Sequence, residues 1–433
     1  TRVGRPGHSS AMASPRLLPP PSLPIRRCGG RLAAAGVLAT LLAGPLAAQR
    51  IQWMAGAVPV VHWVDRTPDA ASRTEASLVR PVAMATAGLG AGFRVRGTVN
   101  LEGLSMPDGE LWLGGWGEGF VDRRHPHTYL HELIVEGTWS LGCRGGCAVA
   151  VFGGKGFAPF GSADPMTRPL LRFPVNHHLA QILERAVAGV QVAIGPALLE
   201  AALFNGDEPE RPGQFPRIGG RFGDSWAARL TVRPARGLAV AASAATVKSP
   251  EHRPGAGAVQ HKVHLGLTFD RPFAGGRAVG LLEWARTSEL EGTFVFRSAL
   301  AEAEWRRRGI GLQYRFERTE RPEEERLSSF RSARPHLENS ILGETRWTTH
   351  SVALSVAGPR GFGVAAAPFA EATVGRIAAI GTGAAFDLVG TYGATSFLGL
   401  SLGVRLTAGT AEHRMGRYGL AGAAAASSPH GSH

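Results

Sequence analysis

The sequence predicts an all-β fold, a transmembrane antiparallel β-barrel of about 16 strands (roughly 14–18) with short periplasmic turns and long outer loops. Three observations predict it. Between about residues 50 and 410 the chain is a series of roughly ten-residue segments in which apolar and polar residues alternate, separated by turn residues. These segments are rich in Gly and Ala and carry Trp or Tyr near their ends, as a membrane girdle requires. The connectors between them alternate long and short. The chain has 433 residues, 58 of them Gly, and only 19% are charged. Past the N-terminal region no run of about 18 apolar residues exists to cross a bilayer as a helix. Composition therefore excludes a helical membrane protein and a highly charged disordered chain.

Residues 1–48 are expected to be a leader. Arg26, Arg27 and Arg31 form a basic n-region, and Leu32–Leu42 is an apolar stretch too short to span. Pro45-Leu46-Ala47-Ala48 offers small residues for cleavage by signal peptidase before Gln49. Residues 49–410 are expected to form the barrel, and 411–433, rich in Ala, Ser and Gly without periodicity, a disordered tail.

The short connectors set the direction of each strand. Upward strands are expected near 53–64, 92–104, 148–158, 197–206, 238–248, 277–288, 309–320 and 362–375. Downward strands are expected near 79–88, 127–141, 183–195, 224–234, 260–270, 293–306, 344–357 and 396–408. That is an even number with both ends in the periplasm, as a single-chain bacterial barrel needs. The long connectors near 65–78, 105–126, 159–182, 207–223, 249–259, 321–343 and 376–395 become outer loops. The charge run Glu317–Arg326 is read as a solvated part of one of them.

Faces follow from alternation. Tyr129, Leu133, Val135, Trp139 and Leu141 share the parity expected to meet lipid. Glu132, Glu136, Thr138 and Ser140 share the lumen parity, as Glu302 and Glu304 do on a later strand. A charged side chain at the bilayer midplane costs a few kcal/mol, so the carboxylates point inward. Two residues break the pattern: Ile134 on the lumen parity, and His131 on the lipid side near the rim.

Net charge is +13. Export argues against nucleic acid as a partner, and the arginines are scattered. In a barrel they line the lumen or the outer loops, biasing permeation toward anions or holding anionic lipid head groups. Of three cysteines, Cys143 and Cys147 remain after cleavage. A tight hairpin brings them within disulfide reach in an oxidising compartment. The alternatives are a metal or free thiols, but no further thiolate is present for a sulfur-rich site.

Candidate chemistry centres on histidine. His125 and His127 project to one side of an extended chain, with His131 further in. His177 and His178 lie in the next outer loop, after Asp164. If the two groups meet at the outer mouth, imidazole with carboxylate suits a transition metal. The alternative is that they satisfy loop hydrogen bonds. Gly223-Asp224-Ser225-Trp226 is a loose match to a serine-hydrolase block. Asn205-Gly206-Asp207-Glu208 is a turn whose carboxylates are weak calcium candidates.

Several blocks resemble a group of largely uncharacterised bacterial outer-membrane β-barrel proteins. Asp122-Arg123-Arg124-His125-Pro126-His127 resembles their Asp-Arg-x-His-Pro-His block. In the same order come Leu101–Gly109 before it, then Pro159-Phe160-Gly161, His177-His178, Phe204–Glu210, Ala228-Arg229-Leu230 and Ser249-Pro250-Glu251. The resemblance implies an outer-membrane, porin-like barrel, and some relatives are associated with heavy-metal handling. This chain differs in having Thr128 where relatives often carry Asp. It also has Leu179-Ala180-Gln181-Ile182 where relatives carry Asp-Ser-Thr-His.

The expectation is a non-enzymatic pore for small solutes, biased toward anions, in the bacterial outer membrane. The alternatives are a barrel binding a transition metal through His125, His127, His131, His177 and His178, and a barrel-embedded lipid hydrolase. No resident cofactor is otherwise expected. Expected partners are outer-membrane lipid and lipopolysaccharide, small solutes, and the barrel-assembly machinery during insertion.

Overall fold

Alternation and turn chemistry together carry the chain into sixteen wall strands. The computed structural model describes residues 51–66, 72–106, 128–143, 145–162, 164–207, 209, 212–215, 221–248, 259–324, 341–381, 387–411 and 414–426. The leader expected over 1–48, and with it His125 and His127, lie outside the described residues. The strands are β1 (Gln52–Val64), β2 (Arg73–Gly90), β3 (Phe93–Asn100), β4 (Leu130–Ser140), β5 (Cys147–Gly156), β6 (Arg185–Ile194), β7 (Ala197–Phe204) and β8 (Ser225–Ala235). They continue with β9 (Leu238–Lys248), β10 (Val259–Phe273), β11 (Gly276–Glu289), β12 (Phe294–Arg307), β13 (Ile310–Glu324), β14 (Ile341–Val356), β15 (Val364–Ile380) and β16 (Ser396–Gly409).

Each strand pairs antiparallel with its neighbours in sequence. A two-residue ladder at Arg360–Gly361 only closes the β14–β15 turn, because β14 pairs directly with β15. β16 then pairs with β1, with Val60 opposite Gly403, and the wall is closed. Closure satisfies every strand edge, the condition for a sheet to sit in lipid.

One end carries tight turns. Ala91-Gly92, Ala274-Gly275, Arg308-Gly309 and Phe362-Gly363 each place both residues at positive φ. That is the conformation two-residue hairpin turns require, and glycine at the second position makes it accessible. Cys143 and Cys147 are disulfide-bonded across another of these turns, with Cα atoms 5.7 Å apart. Aromatic side chains ring this end. Trp139 stacks edge-on with Phe93 at 5.1 Å and donates to Ala91 O at 3.2 Å. Trp305 donates to Phe273 O at 3.0 Å. Most connectors at the opposite end, expected as long outer loops, fall wholly or partly outside the described residues.

The two faces separate by parity. Leu133, Val135, Val190, Leu199, Leu265 and Leu402 are among many large apolar side chains exposed on the outside. An apolar band this extensive is stable only in a bilayer. Glu132, Glu136, Glu302 and Glu304 are buried in the interior.

Two expectations are corrected on the wall itself. The charge run beginning at Glu317 belongs to β13 up to Glu324, with Glu317, Thr319, Arg321 and Glu323 all buried. Charges spaced by two on a strand fall on one face, and here that face is the lumen. His131 does not face lipid. Thr98 pairs with Glu132 while Val99 pairs with Leu130, so His131 is the extra residue of a β-bulge. The bulge turns it inward beside Glu132, where it is 1% exposed.

Candidate functional site

The site is the lumen, and two segments of this chain enter it. The first is the connector Phe157–Glu184 between β5 and β6. It was expected as an outer loop, with His177 and His178 at the mouth. It instead folds back into the barrel. Phe157, Phe160, Met166, Leu170, Leu171, Phe173, Val175, Leu179, Ile182 and Leu183 are all buried. A connector with this many apolar side chains gains more by packing inside the wall than by remaining in water. It carries the one-turn helix α2 (His177–Ala180), after α1 (Glu102–Ser105) on the β3 side.

Wall carboxylates fasten the loop by accepting its backbone N–H groups. Glu371 accepts from Leu171 N at 2.7 Å and Arg172 N at 3.1 Å. Glu317 accepts from Val175 N at 2.9 Å and Asn176 N at 2.6 Å. Glu283 accepts from Asn176 Nδ2 at 2.7 Å and from His264 Nε2 at 3.1 Å. From the other side Arg80 donates to Met166 O at 3.0 Å and Leu171 O at 2.6 Å. Arg80 itself sits at φ 51° in β2, where its N–H meets Glu102 Oε1 at 2.8 Å. Gly161, at φ 68°, lets the loop pass over Ala180 O, where any Cβ would collide.

The second segment follows β16. Residues 411–433 were expected to be disordered, yet 414–426 are ordered and end in α3 (Gly419–Ala426). β16 ends at the short-turn end, and the chain turns from there into the lumen. Lumen carboxylates hold it. Glu132 Oε1 accepts from Tyr418 Oη at 2.6 Å and Gly416 N at 2.9 Å. Glu136 Oε2 accepts from Gly419 N at 2.5 Å, and Gln191 Oε1 from Leu420 N at 2.8 Å. Tyr418 Oη also accepts from Phe157 N at 2.9 Å, so the two inserted segments touch. Burial and the Glu132 charge raise the Tyr418 phenol well above its ordinary pKa, so it remains a donor. Ile134, which broke the polar parity of β4, packs against Tyr418, Phe152 and Phe160.

The remaining predicted residues have structural partners. His131 Nδ1 lies 3.4 Å from Glu184 Oε1, and its ring packs edge-on against Phe157 at 5.3 Å. His177 packs on Phe173 at 5.3 Å and on His178 at 4.2 Å. Among the described residues no three His, Cys, Asp or Glu side chains converge as a metal site would need. Asp164 is taken up inside the loop, accepting from Met166 N and Gln181 Nε2, each at 2.7 Å. Ser225 donates to Asp224 Oδ1 at 2.8 Å and accepts from Lys248 N at 3.0 Å, which fastens β8 to β9. Asp207 pairs with Arg221 at 3.2 Å, and Asn205 Oδ1 accepts from Ala186 N at 2.9 Å, so that turn ties strand ends together.

Between the inserted segments and the wall from β7 to β12 lies a cavity of about 630 Å³, in the half of the lumen nearest the short turns. Six arginines line it, Arg168, Arg233, Arg236, Arg277, Arg414 and Arg417, against the four carboxylates of Glu200, Asp270, Glu302 and Glu304. Each carboxylate already holds an arginine. Glu200 takes Arg229 at 2.6 Å, Asp270 takes Arg277 at 2.5 Å, Glu302 takes Arg315 at 2.6 Å and Glu304 takes Arg306 at 2.7 Å. Burial, with Arg229 nearby, lowers the Arg417 guanidinium to about 9, so it is still charged at neutral pH.

No protein-family model matches the chain, and no curated protein matches it. Solved outer-membrane proteins resemble it in shape. An anion-selective porin from Comamonas acidovorans is 12% identical, with a TM-score of 0.46, over 83% of this chain and 99% of that one. In-vitro folded OmpT, an outer-membrane protein of Vibrio cholerae, is 10% identical, with a TM-score of 0.46, over 83% and 97%. OpdQ of Pseudomonas aeruginosa is 10% identical, with a TM-score of 0.43, over 83% and 98%. These likenesses concern barrel architecture. The closed ladder and the apolar outer band make this chain a β-barrel of the bacterial outer membrane.

Proposed function

We propose that the protein is a porin-like channel that passes small solutes, with a preference for anions, through a lumen narrowed by Phe157–Glu184. The observation that carries this reading is the cavity beside that loop, whose carboxylates are all committed to arginines while further arginines still face the open volume. Fixed positive charge in a low-dielectric passage lowers the barrier to anions and raises it for cations. The apolar band meets outer-membrane lipid and, in the outer leaflet, lipopolysaccharide, and insertion requires the barrel-assembly machinery. No arrangement of described residues favours the metal or hydrolase alternatives.

Swelling of proteoliposomes in sugars of increasing size tests the channel reading. Entry of a pentose and marked exclusion of a trisaccharide are expected, because the loop and the C-terminal segment reduce the free cross-section. No swelling in any sugar, from liposomes shown to contain folded barrel, would contradict it.

A further inference from the structure

The surplus charge in the cavity is local and assignable. Glu200 is committed to Arg229 through two bonds, at 2.6 Å to Nε and 3.0 Å to Nη2. Arg233 and Arg417 line the same cavity as Glu200. Among the described residues neither Arg233 nor Arg417 forms an ion pair of its own. The carboxylates of the lining are thus each paired with another arginine, while the Arg233 and Arg417 guanidiniums border the open volume. Like charges brought together away from bulk water are costly unless an anion sits between them.

The segments that supply these groups are independent. Arg233 comes from β8, and Arg417 from the chain beyond the last strand, held in the lumen by Glu132, Glu136 and Gln191. Arg96 fixes the Arg417 backbone by donating to its carbonyl at 2.8 Å. Arg417 is therefore presented by a fastened segment rather than by a free tail. An ordered guanidinium recognises a carboxylate or phosphate group through paired N–H donors.

We propose that Arg233 and Arg417 form a binding site for a small multivalent anion, carrying carboxylate or phosphate groups, on the wall of this cavity. The C-terminal segment is then a structural part of the site. The proposal takes its access route from the channel reading but is tested apart from it.

The experiment is isothermal titration of the refolded full chain in neutral detergent with citrate and, separately, with inorganic phosphate. Arg233→Gln, Arg417→Gln and the double variant are compared with Arg308→Gln, which changes an arginine in a short turn. Each sample is first shown to be folded by its heat-modifiable mobility. At least one of the two anions binds the wild type and Arg308→Gln alike. It binds the double variant about tenfold more weakly, or worse, on the scale of one lost charge-assisted hydrogen bond. The anion that binds more tightly distinguishes carboxylate from phosphate recognition. Equal affinity for wild type and double variant, or no binding of either anion, overturns the proposal. Because no bilayer is involved, a barrel that conducts without binding sinks only this site, and one that binds without conducting sinks only the channel.

Discussion

Replacing Ala158–Leu183 by a short Gly-Ser linker raises single-channel conductance several-fold. The loop crosses the lumen from the β5–β6 end to Glu283 on β11, Glu317 on β13 and Glu371 on β15. Its side chains join clusters with Trp347, Phe369 and Phe397, with Val187 and Val247, and with Ala285 and Phe296. Removing it empties that volume to water. The wall stays closed, because its backbone hydrogen bonds run strand to strand and none depends on the loop. Stability falls, since each large apolar side chain of the loop contributes roughly 1.5–3 kcal/mol by burial. Heat-modifiable mobility shows whether the variant is folded, and planar-bilayer recording gives its conductance. Unchanged conductance in a folded variant would mean that the loop does not lie in the path.

Glu132→Ala releases the C-terminal segment. The Glu132 carboxylate accepts from Tyr418 Oη, from Gly416 N and, at 2.7 Å, from Thr98 Oγ1. Hydrogen bonds to a charged group contribute about 1.5–3 kcal/mol each, so the two that reach the segment hold it by roughly 3–6 kcal/mol. Loss of that much unfastens a segment otherwise held by Glu136 and Gln191. Amide exchange at Gly416–Leu420 becomes fast in Glu132→Ala while exchange in β4 and β5 stays slow. Glu132→Gln keeps an acceptor oxygen and has a smaller effect. Slow exchange at Gly416–Leu420 in Glu132→Ala would show that the segment is fastened elsewhere.

The wall was legible because a membrane strand writes its period into the sequence twice, as apolar residues toward lipid and polar ones toward the lumen. β9 begins and ends at the predicted residues, 238 and 248, and the other strands differ at their ends. The larger differences lie at the end away from the tight turns. β13 runs on through Glu323 because charges at every second position continue a strand into what looks like a polar loop. What fills the lumen was not legible by period, because neither inserted segment is a strand.

Compositional signals were nonetheless present. The connector 157–184 holds Phe157, Phe160, Leu170, Leu171, Phe173 and Leu183, which is too apolar for a solvated loop. Ile134 marked a dry place on a wet face. In a tail rich in Ala, Gly and Ser, Arg414, Met415, Arg417 and Tyr418 stood out as large side chains able to make specific contacts. The surroundings of the histidines were not legible because spacing along a chain says nothing about bulges or loop direction. A bulge carried His131 to Glu184, and the inward fold carried His177 to Phe173. Glu132 and Glu136 were read toward the lumen, but their partners in the C-terminal segment were invisible, lying more than 280 residues away.

The reversal potential of single wild-type channels under a salt gradient tests the central claim most directly. With potassium chloride more concentrated on one side, the arginine surplus predicts a reversal potential of the sign set by chloride. Arg233→Gln with Arg417→Gln moves it toward zero. A potential of the sign set by potassium, or one that the two substitutions leave unchanged, would contradict the account.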